Sequence, residues 1–174
     1  MALAGDMAHD VCGQSGDVMI FLNIVWPTCA LVALIFAVWF VMFVQRYRHI
    51  KETPPTRDDM ATSAAATRYF EPVEMPGNNL RNLFEMPVLY FALVPLLMLT
   101  RQVDVAQIVL AWLFVVARAG HSFVHIGPKM VKLRLVAYLA SSVVLLAMWI
   151  GFFIDMASAA HAYHEAVKMM GPQL

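Results

Sequence analysis

The chain has 174 residues, of which 61% are hydrophobic and only 14% are charged, and its formal net charge is zero. A soluble domain is close to half apolar and about a quarter charged, so this composition excludes an ordinary soluble protein and predicts a membrane protein. The balanced charge argues against a polyanion as partner, and no nucleic acid is expected.

The polar N-terminus contains Asp6, Asp10 and Asp17 but no lysine or arginine. A secretory signal peptide begins with basic residues, so we expect the first apolar run to remain in the mature protein. Cys12 precedes this run and Cys29 lies inside it, and this difference in depth argues against a disulfide between them.

Four apolar runs are long enough for transmembrane helices, which need about 20 apolar residues each. They predict spans at about residues 18–44, 80–100, 103–126 and 131–155, with a cytoplasmic loop at 45–79. In that loop, the alanine-rich stretch Asp58–Tyr69 predicts a short interfacial helix, and Asn78 or Asn79 is a candidate N-cap of the second span. The predicted fold class is an all-α membrane protein, with residues 1–174 forming a single four-helix domain.

Lysine and arginine residues are concentrated on one side of the predicted spans. Six lie within residues 45–81 and four within 118–134, whereas only Arg101 and Lys168 fall on the other side. The positive-inside rule makes the richer side cytoplasmic, with both chain termini on the opposite side of the membrane.

Seven polar residues cluster at the cytoplasmic ends of the second, third and fourth spans. Ionisable side chains at membrane depth usually face the protein interior and indicate a functional site. Helical spacing places those of the second span on one face and those of the third span on one stripe, and we expect Glu85 to pair with Arg118. The remaining side chains are net positive, and the N-terminal ends of helices add positive charge. Together they predict an anion-binding pocket with an apolar wall. These residues are Arg81, Asn82, Glu85, Arg118, His121, His125 and Arg134.

Structural roles are open for the same residues. An ion pair between Glu85 and Arg118 would be explained by helix packing alone. Arg81 would be explained by contact with lipid headgroups. Arg134 is long enough to extend to the membrane surface. His121 and His125 are four apart, which is a metal-ligand spacing, but no further histidine or cysteine is expected at that depth and no metal is predicted.

Two motifs carry a family resemblance. The first is Arg-Asn-x-x-Glu in the second span, and the second is Arg-x-x-His in the third span, followed by a glycine and an arginine. In this pattern the sequence resembles the MAPEG family, the membrane-associated proteins of eicosanoid and glutathione metabolism, and residues 82–89 are most similar to its bacterial branch. The motif residues are Arg81, Asn82, Glu85, Arg118, His121, Gly127 and Arg134.

The resemblance implies a homotrimer in a bacterial inner membrane, with periplasmic termini and glutathione bound between subunits near the cytosolic face. The residues implied to bind glutathione are Arg81, Asn82, Glu85, Arg118 and His121. Arg134 would stabilise the thiolate, and His125 stands where glutathione-using members carry a tyrosine. The implied reaction is conjugation of a lipophilic electrophile or reduction of a lipid peroxide. The alternative is a non-catalytic member that binds lipid or belongs to a larger membrane complex.

Overall fold

The computed structural model describes residues 23–127 and 131–171. Its helices are α1 (Val25–Glu52), α2 (Ser63–Phe70), α3 (Met75–Leu83), α4 (Pro87–Leu99), α5 (Val105–Ile126) and α6 (Val131–Met170), with a short 3-10 turn at Glu71–Val73. Helices α1, α5 and α6 are each long and apolar enough to cross a membrane, and α3 and α4 together form a fourth such segment. The predicted multi-pass, all-helical fold is confirmed.

The helix ends differ from the predicted spans at two places. Helix α1 continues to Glu52, so the predicted loop begins later and is itself largely helical. Helix α6 has 40 residues, which at 1.5 Å per residue is about twice the thickness of a hydrocarbon core of about 30 Å. Apolar-run lengths missed this extension because its residues are of mixed polarity.

The second span is broken between α3 and α4. Pro87 has no backbone N–H, and its ring disfavours helical geometry in the residue before it. The chain therefore makes a turn over residues 84–86, in which the N–H of Phe84 donates to the carbonyl of Arg81 at 2.9 Å. The predicted capping by Asn78 or Asn79 is wrong, since α3 already begins at Met75.

The apolar core lies between α1, α4, α5 and α6. At its centre the fully buried ring of Tyr90 stacks on Phe114, with ring centroids 5.1 Å apart. The hydroxyl of Tyr90 lies 3.1 Å from the hydroxyl of Thr28, which satisfies two polar groups inside the bundle. This core fixes α4 against α5. It thereby sets the position of the polar residues near the start of α4 and the end of α5.

The segment between α1 and α3 folds back onto the end of α1. Arg46 forms an ion pair with Glu74 at 2.7 Å, and its guanidinium lies 4.9 Å from the ring centroid of Phe70. Thr62 caps the short helix α2 by accepting from the N–H of Ala65 at 3.1 Å. A helix in this part of the loop was predicted over a longer stretch. We refer to the end of the bundle that carries this segment as the loop end.

Candidate functional site

Three side chains of α5 form a buried polar stripe at the loop end. Arg118, His121 and His125 are 0%, 1% and 3% exposed, although they lie in an apolar membrane-spanning helix. Their spacing of three and four residues places them on one face of α5, as predicted. A charged side chain is rarely buried this completely without a partner, so the contacts of Arg118 decide what the stripe does.

Arg118 is held by a neutral group rather than by an acid. Its Nη2 donates to the backbone carbonyl of Asn82. In an unbroken helix that carbonyl would accept the N–H of Met86, but the turn before Pro87 interrupts the helix there. The break in the second span thus supplies the acceptor that orients the guanidinium.

The predicted Glu85–Arg118 pair is wrong. Among the described residues, the ion pairs within 4.0 Å are Arg46–Glu74 and Glu165–Lys168, and Glu85 is exposed on the surface of the protomer. The prediction assumed a continuous second helix, which would have kept Glu85 on the face of Asn82. The turn over residues 84–86 interrupts that helix, and Glu85 lies beyond ion-pair distance of Arg118, although it is near enough to act on its charge.

Arg134 of α6 joins the two histidines. Its Nη1 lies 3.3 Å from His125 Nε2, and because a guanidinium only donates, Nε2 is the acceptor. A neutral His125 therefore carries its proton on Nδ1. His121 Nδ1 donates to the backbone carbonyl of Arg134 at 3.1 Å, which leaves Nε2 as the free nitrogen of a neutral ring. A cation at His125 Nε2 also disfavours a metal at this histidine pair.

Several buried polar atoms of this cluster have no partner among the described residues. Four of the five are donors, and they come from two guanidinium nitrogens, one imidazole and one amide. Buried donors without acceptors are costly in the ligand-free protein and therefore point to a ligand rich in acceptor oxygens or negative charge. These atoms are Arg118 Nε, Arg118 Nη1, His121 Nε2, His125 Nδ1 and Asn79 Nδ2.

The sequence did not point to Asn79 and Tyr138 as members of this cluster. Asn79 is fully buried, and its Oδ1 accepts from the hydroxyl of Ser122 at 3.5 Å. The ring centroid of Tyr138 lies 5.6 Å from the guanidinium carbon of Arg118. Both signals were available as helical spacings, because Asn79 lies three residues before Asn82 and Tyr138 four residues after Arg134.

The second-span motif is not brought fully into the cluster. Asn82 is half-buried and contributes its carbonyl, whereas Arg81 and Glu85 are exposed on the protomer. The predicted convergence is therefore confirmed for the residues of the third and fourth spans and for Asn82. It is wrong for Arg81 and Glu85 within a single protomer.

An apolar groove of about 530 Å³ lies between α4 and α6. It is lined by Met86 from the broken turn, by Leu89 from α4, and by side chains of α6 that include Leu146 and Trp149. Because Met86 follows Glu85 directly, the groove adjoins the part of the second span that carries the motif. A lipophilic molecule would fit this groove, but none of the residues that line it belongs to the polar cluster, so the predicted apolar wall of the anion-binding pocket stays a prediction.

Comparison with known proteins identifies one family. The family model for the MAPEG family matches residues 24–154, which is most of the chain, so the protein belongs to the MAPEG family. No curated protein matches the chain. No solved structure matches it either.

Proposed function

We propose that this MAPEG family member is a glutathione-dependent transferase or peroxidase that acts on a lipophilic substrate in a bacterial inner membrane. One observation carries the proposal: Arg118 is fully buried, two of its nitrogens lack partners, and no acid within 4.0 Å among the described residues neutralises it. A buried cation in this state is suited to an anionic ligand. Glutathione is anionic and rich in acceptor oxygens, which fits the donors of the cluster.

The residues of the cluster divide into two tasks. Arg118 holds the peptide through its unpaired donors and His121 through the acceptor Nε2, with Asn82 fixing the guanidinium, and Arg134 stabilises the negative charge of the sulfur. His125 Nδ1 is a further donor for that charge, since its Nε2 is occupied by Arg134. Glutathione supplies the thiol nucleophile when it is bound.

The proposed assembly is a homotrimer, which the exposed part of the motif supports. Arg81 and Glu85 are polar, are exposed at the loop end of the protomer and belong to a membrane-spanning segment. A charged surface at that depth is costly against lipid, whereas a neighbouring subunit would cover it and bring both residues to the site. The lysine and arginine distribution supports a cytosolic location of this end, where glutathione is available, and periplasmic termini.

The second candidate is a non-catalytic member that binds a lipid or belongs to a larger membrane complex. The apolar groove between α4 and α6 favours it, since the groove is lined almost entirely by apolar atoms and opens at the surface of the protomer. A single acyl chain would bury its surface there without any contact with the polar cluster. The two candidates differ in whether glutathione binds.

Binding of glutathione to the detergent-solubilised protein is the decisive measurement. We expect saturable binding by calorimetry, loss of it in Arg134→Ala, and a thiolate absorbance in the ultraviolet difference spectrum of the wild type. Lys132→Ala is the matched control, because Lys132 is exposed one half-turn away on the same helix. The control should bind as the wild type does.

Turnover then separates the reaction classes. Conjugation of a lipophilic chloronitrobenzene supports the transferase, and reduction of a fatty-acid hydroperoxide supports the peroxidase. Absence of binding at millimolar glutathione refutes the enzyme proposal, and co-purified lipid retained by the Arg134→Ala variant would then favour the lipid-binding candidate.

A further inference from the structure

Helix α3 is held in place separately from the rest of the second span. The turn over residues 84–86 separates it from α4, so the packing of α4 in the apolar core does not by itself fix its direction. Its main contacts are instead with α1 and α5, and its buried residues are Pro76, Asn79 and Leu83. A segment that buries few apolar side chains opens more easily than the core. Polar contacts are therefore needed to hold α3 in one orientation.

The first turn of α3 is tied to α1 by one ion pair. Glu74 immediately precedes α3, and its Oε2 lies 2.7 Å from Arg46 Nη2. Within residues 23–127 and 131–171, no other acid lies within 4.0 Å of Arg46. The two side chains are only 34% and 17% exposed, and the guanidinium also lies against the ring of Phe70. An ion pair that is partly shielded from water is screened less than an exposed one, so this contact is suited to fixing a position.

The ion pair lies directly on the backbone of α3. A Cβ added at Gly77 would lie 2.7 Å from Glu74 Oε1 and 3.5 Å from Arg46 Nη2. The carboxylate therefore occupies the space that a side chain at this position would fill. The carbonyl of Glu74 also accepts from the N–H of Asn78 at 2.9 Å, which continues the hydrogen bonding of the helix. A displacement of Glu74 thus acts on α3 itself and is not absorbed by the preceding loop.

The other end of α3 carries the carbonyl that orients the buried arginine of the site. Asn82, which accepts from Arg118, lies eight residues after Glu74, which is about 12 Å along a helix at 1.5 Å per residue. A single helix of this length moves as a rigid unit, so its direction at the first turn sets the position of that carbonyl. The hydrogen bond between Ser122 and Asn79, halfway along, is 3.5 Å long and restrains the helix only weakly.

We propose that Arg46 is a positioning residue of the candidate site, which fixes the direction of α3 through Glu74 and so holds the carbonyl of Asn82 against Arg118. Arg46 belongs to α1 and makes none of the hydrogen bonds of the polar cluster. Loss of its ion pair would let α3 tilt, which would loosen the bond to the guanidinium and weaken anion binding. The inference rests on the proposed function for the identity of the anion, glutathione, but not for the contacts themselves.

Calorimetry of glutathione binding to the full-length, detergent-solubilised protein tests the effect on the ligand. Arg46→Gln should raise Kd about tenfold, the scale of one weakened charge-assisted hydrogen bond. Arg48→Gln is the matched control, because Arg48 is exposed two residues further along the same helix and loses the same charge. Its Kd should stay within about twofold of the wild type. Arg46→Lys keeps the charge and should recover most of the affinity. Equal Kd values for Arg46→Gln and Arg48→Gln would overturn the proposal.

A double-mutant cycle without ligand separates positioning from a contribution to folding alone. The midpoint of unfolding by dodecyl sulfate in mixed micelles is measured for Arg46→Gln in the wild-type and Arg118→Met backgrounds. The shift should be about twice as large in the wild type, because the bond between Arg118 and Asn82 is absent from the other background. Equal shifts would show that the ion pair serves folding only and would overturn the proposal. A wild type that binds no glutathione would refute the proposed function, whereas the two shifts would still decide the role of Arg46.

Discussion

Arg118→Met is the change that best separates a ligand-binding cation from a structural one. The substitution keeps an unbranched side chain, although a shorter one, and removes the charge. If Arg118 were half of a buried ion pair, breaking the pair would cost about 3–5 kcal/mol of folding free energy. The observed contacts predict a different result, because the guanidinium is bonded to a neutral carbonyl and two of its nitrogens are unpaired.

The expected magnitude follows from those contacts. Each unpaired donor costs about 1–3 kcal/mol in the native protein, and the methionine variant removes both. The variant loses the bond to the carbonyl of Asn82, about 1.5–3 kcal/mol, and the contact with the ring of Tyr138, about 0.5–2 kcal/mol. Gains and losses are of similar size. The ligand-free variant should therefore unfold within about 1 kcal/mol of the wild type.

Reversible unfolding in mixed micelles, with increasing dodecyl sulfate and detection by circular dichroism, gives the free-energy difference. Glutathione should raise the stability of the wild type and leave Arg118→Met unchanged, since only the native protein with its cation binds the ligand. A loss of 3 kcal/mol or more without ligand, on the scale of a broken buried pair, would show that Arg118 serves packing and would refute the reasoning.

Two further predictions concern packing and chemistry. In Gly151→Ala, the new Cβ would lie 2.9 Å from Gln107 Nε2. This nitrogen donates to the carbonyl of Met148 at 3.1 Å, and the new methyl group would displace it. Loss of this hydrogen bond should cost about 1 kcal/mol of folding free energy in the same unfolding assay. Gly120→Ala is the control, since nothing lies within 4 Å of a Cβ at that position. It should stabilise the protein by about 0.5–1 kcal/mol, because alanine favours a helix over glycine. An equal effect of the two substitutions would contradict the predicted clash with Gln107. His125→Tyr should retain glutathione turnover, because a hydroxyl both accepts from Arg134 and donates, whereas His125→Phe should lower it about 100-fold through loss of one donor to the developing charge. Equal rates in the two variants would exclude position 125 from the chemistry.

Much of the fold was predictable because its signals are local. Apolar runs identify the membrane-spanning segments, and these account for most of the helices in residues 23–127 and 131–171. The end of α6 was not predictable in this way, because its exposed residues of mixed polarity resemble a solvated tail. The extent of α2 was approximate for a related reason: Thr62 starts the helix by capping it, and alanine content alone does not locate the cap.

The sequence predicts which side chains of the candidate site share a face of α5, but it does not predict their hydrogen-bond partners. The spacing of Arg118, His121 and His125 on α5 is enough to place them on one face. Their acceptors are backbone carbonyls of Asn82 and Arg134, and carbonyls have no signature in a sequence. An acid near an arginine suggested an ion pair, since charge pairing is visible in the sequence and backbone geometry is not.

The proline in the second span connects the fold to the charge of the site. Pro87 interrupts the helix, the interruption frees the carbonyl of Asn82, and that carbonyl orients Arg118 without neutralising it. Had the helix continued, Glu85 would have shared the face of Asn82, and an ion pair would have cancelled the charge needed for an anionic ligand. A neutral acceptor fixes a cation in place and leaves its field directed at the ligand. The break therefore makes a buried arginine of a membrane helix suitable for binding, at the expense of donors that remain unpaired until the ligand arrives.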